Sequence, residues 1–584
     1  MKNKILSVAV FLLLLNIFSY GQQNPKSKPL TANIAALNKK LDSLFSSYNN
    51  STSPGCAVTI LENGKVIAKK AYGMANIENK VPFTHQSVVK IPYSEAREFI
   101  SIAVVFMEKD GVLSLNDKVR KYFPKLPDWS ASVTLWDLLN HRSGFVDEWA
   151  TLLLMHNNMA NRFEKEQFLR LLYTQETPQI EPGKGYMYCN SDFGLLRLIM
   201  EKASDKKLPD WMKQRIFEPL KMASTSMQKS ALDIIPNRAD VYVSANGGGY
   251  EHNNVQKTSP GGNYFILSSA NDLERWTAAI SNPTSEISQA AVKLMTNVRQ
   301  IPGRENHFVI GYSIRNINNT QVILHEGVNG YNYLSRIPSK GLAVITFGNK
   351  HDEGFAPENK AIINYLLKVP APALPKLMTT PITLTVNELK KYTGNYRWLN
   401  KVSWEGYRQP KKFSTLFIAN GKLNLRYTGN YVIPLTPVGK DTFYYKEEYG
   451  AQFEFKQTTP NEPTILTVTF DDGFPGETMA KDTGAIWQPS KEVLAGFIGK
   501  YYSKHLDYFW NIAINEDGQL VLKRNTLPDA IIEPDGLNQF HYIAEKSPGA
   551  GFDQWLLFNK DEKGTITGIT VWSARVMFHE FEKQ

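Results

Sequence analysis

The sequence predicts an α+β fold: an antiparallel sheet flanked by helices and carrying a mainly helical insertion, followed by two small antiparallel β-barrel-like domains. Three observations carry that expectation. Between about Ala35 and Leu367 helical and strand periodicities alternate. From Lys368 to Thr383 the stretch KVPAPALPKLMTTPIT holds four prolines and almost no periodicity, the signature of a linker. Beyond it the texture changes to short alternating strands, and an L-x-x-aromatic-x-G-x-Y pattern occurs twice, at Leu389–Tyr396 and at Leu494–Tyr501.

The chain opens with Lys2 and Lys4, an apolar run from Ile5 to Leu15, and small residues at Ser19 and Gly21. This pattern is that of a secretory signal, with the mature chain expected from Gln22 and a periplasmic or extracellular destination. No later run has the length a bilayer demands, so no transmembrane segment is expected after signal removal. In the first domain, residues 22–367, AALNKKLDSLFSSY reads as a helix, and Cys56–Leu61, Asn63-Gly64-Lys65 and Val66–Ala68 read as strand, turn and strand. Leu342–Phe347 is a further apolar strand and Asn359–Leu367 a closing helix. Each C-terminal module, 384–488 and 489–584, carries a hairpin on a tight turn, Asn420-Gly421 and Asp517-Gly518, and ends in a paired strand set from Phe453 and from Trp555. Aromatics such as Tyr396 and Tyr501 suffice to fill a small barrel, so these modules are expected to cover or shape the first domain.

Among the 584 residues 42% are hydrophobic and the net charge is +10, of which Lys2 and Lys4 contribute two, leaving +8. Spread over so long a chain and without a dense Lys/Arg run among aromatics, this charge serves solubility, and no nucleic-acid partner is expected. The ten histidines include no H-x-x-x-H pair and no cysteine–histidine metal spacing occurs, so neither a metal nor a cofactor is expected. Cys56 and Cys189 read as two buried thiols, with a disulfide left open.

The stretch Ile91–Asp117 places a serine on the first turn of an apolar helix. Pro92 cannot sit inside a helix, Ser94 suits a cap or first-turn position, and Phe99, Ile102, Val105 and Phe106 recur at helical spacing until Gly111. There the Ser94 hydroxyl would meet converging backbone N–H groups and the positive end of the helix dipole, the elements of an oxyanion site. One turn later stands Arg97, which orients and polarises but is not a general base, because a guanidinium keeps its proton. A literal S-x-x-K exists at Ser87–Lys90, but in a β-branched run closed by Pro92, where a strand or turn is expected. Tyr188-Cys189-Asn190 lies where a loop enters an amphipathic helix. His325-Glu326-Gly327 follows the apolar strand QVIL, and the glycine permits close approach of a ligand.

In this order, S-x-x-[K/R] at Ser94, Y-x-N at Tyr188 and H-x-G at His325 resemble the serine penicillin-recognising hydrolases, and within them the branch of class C β-lactamases, D-aminopeptidases and esterases. Leu138–Gly144 (LLNHRSG), Pro182-Gly183, Pro260–Gly262 and Ser269–Leu273 extend the resemblance over roughly Leu37 to Leu367. It implies a β-lactamase-like fold with C-terminal lipocalin-like β modules, and a secreted serine hydrolase acting on small-molecule or peptide substrates. By this resemblance Ser94 attacks a carbonyl, Tyr188 moves its proton, Asn190 holds substrate, and His325 and Gly327 line the opposite wall. The N–H groups of Ser94 and Val328 form the oxyanion hole. The chain departs from the family at Arg97, where lysine is the rule. That shifts the base role to Tyr188, held as phenolate by Arg97, or to His325, and opens the alternative of a non-catalytic pseudoenzyme that binds peptide or peptidoglycan-like ligands. Histidine in place of a lysine-rich third motif favours amide or ester hydrolysis of small peptides over penicillin breakdown. His141 belongs, on the same resemblance, to the structural framework.

Overall fold

Alternating apolar strands that are buried on both faces need helices on both sides, and this is the arrangement of the first half of the chain. The computed structural model describes residues 34–584 apart from 92, 156–163, 230–232, 246–247, 254–264, 297–306, 310–311, 327–331, 352–353, 370–376, 400–412, 427–431, 447–449, 460–461, 471–476, 483–488, 524–528, 537–538, 544–552 and 574. The expected leader, Pro260–Gly262, Gly327 and Val328 therefore lie outside the described residues. Two compact units result: one runs to Trp149 and resumes over Asn158–Val369, and the other combines Ala150–Asn157 with Pro370–Gln584.

In the first unit, helix α1 (Ile34–Leu44) precedes the hairpin of β1 (Cys56–Glu62) and β2 (Lys65–Tyr72). Its turn residues Asn63 and Gly64 both have positive φ, 51° and 75°, which is why Asn-Gly is favoured there. Strand β3 (Val88–Ile91) leads into helix α2 (Tyr93–Lys109), and a helical insertion follows that contains α3 (Asn190–Ser204). Short strand β4 (Ser226–Gln228) and β5 (Phe265–Ser269) enclose β3 in a three-stranded sheet of order β3-β5-β4, and α4 (Ala270–Ser281) continues directly from β5. Ser269 caps α4 by accepting from the Asp272 N–H.

The remaining strands, β6 (His307–Val309), β7 (Tyr312–Ile317), β8 (Thr320–Glu326), β9 (Asn332–Ile337) and β10 (Leu342–Gly348), complete a seven-stranded antiparallel sheet of order β6-β7-β8-β9-β10-β1-β2. Strand β1 thus pairs with β10, nearly 300 residues away, with Cys56 opposite Gly348. Helix α5 (Ala356–Leu366) closes one face together with α1, where Leu37, Leu41, Val58, Ile60, Val344 and Ile362 form one core. Such a sheet, unable to close until both ends of the domain are present, fixes β8 and β9 relative to α2. Cys56 and Cys189 are separate buried thiols, and burial pushes both up from the ordinary thiol range. No helix among the described residues is long and apolar enough to cross a membrane.

The second unit holds an eight-stranded closed barrel, from Gly394–Trp398 to Glu477–Lys481, and a nine-stranded, nearly closed one, from Gly499–Ser503 to Val576–Lys583. The repeated L-x-x-aromatic-x-G-x-Y pattern has a physical cause. In each copy the tyrosine hydroxyl donates to a carbonyl four residues back, Tyr396 to Tyr392 (3.0 Å) and Tyr501 to Phe497 (2.7 Å). A lysine from the last strand crosses the glycine: a Cβ at Gly394 would lie 3.1 Å from Lys481 Cε, and one at Gly499 2.8 Å from Lys583 Cε. Each ammonium then donates to the chain just before, Lys481 to the Lys391 carbonyl (2.8 Å) and Lys583 to the Gly496 carbonyl (3.0 Å). The motif therefore ties the first strand of each module to its last. Leu416, Leu425, Phe443, Phe455 and Met479 fill the first barrel, so its interior is packed core.

Removing either hydroxyl leaves a buried carbonyl without its donor. Tyr396→Phe and Tyr501→Phe are each expected to destabilise the second unit by about 1 kcal/mol, read as a lowered unfolding midpoint in urea; unchanged midpoints would show that the two carbonyls find other donors.

Candidate active site

Strand β3 ends at Ile91 and helix α2 begins at Tyr93, so Ser94 falls in its first turn; the Ser94 side chain lies outside the described residues. The competing Ser87–Lys90 motif is on strand β3, with Val88 paired to Ser269 and Lys90 to Leu267. There the Ser87 hydroxyl accepts from the Thr84 N–H (2.9 Å) and holds a turn, while the Lys90 ammonium lies on the Phe265 ring, 3.1 Å from its centre.

Positions 97 and 98 lie one turn beyond Ser94, and both charged side chains are buried, at 2% and 0% exposure. Arg97 turns toward α3. Its guanidinium lies on the faces of Tyr188 and Phe193, 4.2 and 4.8 Å from the ring centres, and donates to Asn190 Oδ1 (2.9 Å) and His141 Nε2 (3.0 Å). Asn190 is held in turn by Asp147, whose carboxylate accepts from its backbone N–H (2.7 Å) and Nδ2 (3.0 Å). Because arginine only donates, His141 Nε2 is the acceptor, while Nδ1 lies 3.1 Å from Asp192 Oδ2 and 3.3 Å from the Cys189 backbone nitrogen. Burial raises the Asp192 carboxyl well above the ordinary carboxylate range, although the Ser143 hydroxyl donates to it. His141 itself sits at φ 53°, a left-handed conformation rare outside glycine. Arg97 thus meets Tyr188 through the ring face, and it donates to His141 and Asn190.

Glu98 turns to the other side, toward β8 and β9. Its carboxylate accepts from Arg336 Nη1 (2.7 Å), Trp276 Nε1 (3.1 Å) and His325 Nδ1 (2.9 Å). Despite complete burial, which opposes ionisation, Arg336 first and then His325 hold the carboxyl at a pKa of about 2. His325 is buried and stays within β8, which runs on to Glu326, so strand pairing extends past the apolar run that marked it in the sequence. Its Nε2 is buried without a hydrogen-bond partner among the described residues.

The sequence-derived residues therefore fall into two walls joined by one helix: Arg97, Tyr188 and Asn190 on one side, His325 on the other, with position 94 at the turn above both. Sequence reasoning missed Glu98, Arg336, Trp276, Asp147 and Asp192, and left His141 as framework, whereas it bonds Arg97 directly. For Glu98 the available signal was its i+4 spacing from Ser94 on the same helix. A folded-state pKa lowered from 4.5 to about 2 means that Glu98 contributes stability present above about pH 4.5 and lost as pH falls toward 2. Glu98→Gln is expected to be less stable at neutral pH by about 3–5 kcal/mol, since Arg336 is left uncompensated, and to lose less on acidification than the unaltered chain; parallel acid-unfolding curves would contradict the assignment.

A family model described as Beta-lactamase matches residues 39–367. The D-aminopeptidase of Brucella anthropi is 27% identical over 234 residues, 39% of this chain and 42% of that protein. Penicillin-binding protein 4* of Bacillus subtilis (strain 168) is 28% identical over 205 residues, 35% of this chain and 44% of that protein. The chain thus spans less than half the length of these curated relatives. Among solved structures, the octameric penicillin-binding protein homologue from Pyrococcus abyssi superposes with a TM-score of 0.50 at 20% identity, over 77% of this chain and 100% of that one, a likeness of fold. With more than half of its residues matched by the family model, and with the sheet and helices that the fold requires, this chain belongs to the beta-lactamase family.

Proposed function

We propose that this protein is a secreted serine hydrolase, periplasmic or extracellular, that opens amide or ester bonds of small peptide substrates through an acyl-enzyme on Ser94. The observation that carries the reading is the first two turns of α2: the residue one turn after Ser94 is locked against Tyr188 and Asn190, and the next residue is locked to His325. Three distant segments of sequence are thereby drawn to one helix end, where backbone N–H groups await a developing oxyanion. The relatives named D-aminopeptidase support an amide substrate, and the N-terminal pattern of basic residues and apolar run supports export.

In this mechanism Ser94 attacks the substrate carbonyl and Asn190, fixed by Asp147, orients the substrate amide. Arg97 supplies a permanent positive charge beside the nucleophile. Since Arg97 cannot accept a proton, the base is drawn from the remaining groups, and His325 has a buried nitrogen without a partner among the described residues. Gly327 and Val328, outside the described residues, would line the wall past His325, with the Val328 N–H as the second oxyanion donor.

One observation favours the second reading, a pseudoenzyme that binds peptide or peptidoglycan-like ligands: the position one turn after Ser94 holds a guanidinium that donates to His141 and Asn190, where the family places its lysine. Two experiments separate the readings. A fluorophosphonate or fluorescent penicillin is expected to label the full-length protein and not Ser94→Ala; absence of label from the folded unaltered chain would end the hydrolase reading. Arg97→Lys is expected to lower the labelling rate at least about tenfold, because an ammonium does not reproduce the planar fork. Labelling that appears only in Arg97→Lys would instead identify a disabled scaffold.

A further inference from the structure

We infer that Glu98 and His325 form an acid–imidazole relay that serves Ser94 as its proton acceptor, with Glu98 the positioning residue and His325 Nε2 the base. The inference rests on the hydrolase reading above and adds to it the group that replaces the missing lysine.

Four observations converge. First, Glu98 is four residues beyond Ser94 on α2, so the two share one helix face with Cβ atoms about 5–6 Å apart. Helical side chains lean toward the N-terminus, which carries the Glu98 carboxylate over the turn that holds Ser94. Second, that carboxylate accepts from His325 Nδ1 at 2.9 Å, and an acceptor there fixes the tautomer with the proton on Nδ1 and the lone pair on Nε2. Third, His325 Nε2 is buried and without a partner among the described residues. A buried polar atom without a hydrogen bond costs about 1–3 kcal/mol, and such groups in folded proteins call for a specific explanation. Fourth, the strand beside β8 is tied to the segment just before α2, because Asn332 Nδ2 donates to the Lys90 carbonyl at 3.4 Å. The start of β9 is thus held beside the segment that enters α2.

The surroundings fit a relay in which the acid remains ionised. Arg336 on β9 neutralises Glu98 at 2.7 Å and Trp276 on α4 donates to the same oxygen. Tyr312 on β7 lies 5.8 Å from the imidazole, ring centre to ring centre, and its phenol is kept protonated because burial and Glu98 raise its pKa. Among the described residues, the charged and titratable groups set about His325 and its carboxylate partner are Glu98, Arg336 and Tyr312. With Glu98 already balanced by Arg336, a proton arriving at Nε2 makes an imidazolium whose charge Glu98 shares, while the carboxylate takes no proton itself.

The steps balance. As the Ser94 Oγ–carbon bond forms, the hydroxyl proton passes to His325 Nε2 and the carbonyl π electrons move onto oxygen. Collapse of the tetrahedral species breaks the carbon–nitrogen or carbon–oxygen bond, and Nε2 returns the proton to the leaving amine or alcohol. A water molecule then repeats the sequence on the acyl-enzyme and releases Ser94 and the acid product.

The test uses the full-length protein. Fluorophosphonate labelling of Ser94 is followed as a rate across pH, beside a 15N spectrum of histidine-labelled protein. Labelling in Glu98→Gln is expected to slow about 100-fold or more, with the acid limb of its pH profile moved to lower pH, since the imidazolium loses its carboxylate. In His325→Ala, which keeps the Glu98–Arg336 pair, added imidazole is expected to restore part of the labelling. The 15N spectrum of the unaltered protein is expected to show His325 with the proton on Nδ1. A folded Glu98→Gln that labels at the unaltered rate, an Nε2-protonated His325, or a His325→Ala that labels normally would each overturn the relay while leaving the hydrolase reading intact. If the unaltered protein takes no label at all, the hydrolase reading falls and the relay with it. Should Glu98→Gln fail to fold, the imidazole rescue and the tautomer decide the matter alone.

Discussion

Two adjacent side chains of opposite charge, Arg97 and Glu98, are taken out of water on one turn of α2, and the architecture around the candidate site follows from satisfying both. Successive residues on a helix point about 100° apart, so one set of partners cannot serve the pair. Arg97 is met from the helical insertion by His141, Asn190 and the faces of Tyr188 and Phe193. Glu98 is met from the sheet by Arg336 and His325 and from α4 by Trp276. Each partner removed would strand a charge in low dielectric, a loss of several kcal/mol that the neighbouring residue cannot offset. Helix α2 therefore can neither rotate nor slide without orphaning one charge or the other, and its first turn inherits that rigidity.

This constraint explains which parts of the molecule were legible in the sequence. Local features were: the Asn63-Gly64 and Asn420-Gly421 turns, the start of α2 after Pro92, and the buried strands β1 and β10 all announce themselves within a few residues. The repeat in the C-terminal half was legible too, although only the coordinates show that its glycine makes room for a lysine and its tyrosine holds a carbonyl four residues back. The Glu98 cluster was not legible, because its partners lie 178 and 238 residues away in Trp276 and Arg336. Helix α2 is also buried on most sides, from Ala96 through Met107, so its periodicity could not say which polar residue faced the interior. Carboxylates are mostly found exposed, yet Glu98 is as fully buried as Asp147 and Asp192.

His141 illustrates a different limit. Its place in a Leu-Leu-Asn-His-Arg-Ser-Gly loop suggested framework, and it does hold framework contacts with Asp192. It also accepts from Arg97, and its φ of 53° is a conformation that a non-glycine residue adopts only where surrounding bonds impose it. Framework and site are thus one hydrogen-bonded network running from Asp192 through His141 to Arg97 and from Arg97 through Asn190 to Asp147. A change at the far end of that chain acts on the first turn of α2 through these bonds alone.

The exchange of lysine for arginine then has a physical reading of its own. Lysine in this position would bring a point charge that can lose its proton when desolvated, whereas arginine keeps its charge and spends its planar fork on two fixed acceptors while stacking on aromatic faces. What the site loses in basicity on that wall it gains in a permanent cation and in the rigidity of Asn190 and His141. In the proposed reaction, proton acceptance then comes from a group that is buried, bonded on one side and open on the other. Tyr188 is covered by the guanidinium on its face, while His325 is fixed at Nδ1 by a carboxylate that stays ionised and leaves Nε2 uncommitted. In the proposed reaction the two walls divide between them what one lysine does elsewhere: a fixed positive charge on one side of the helix and a proton acceptor on the other.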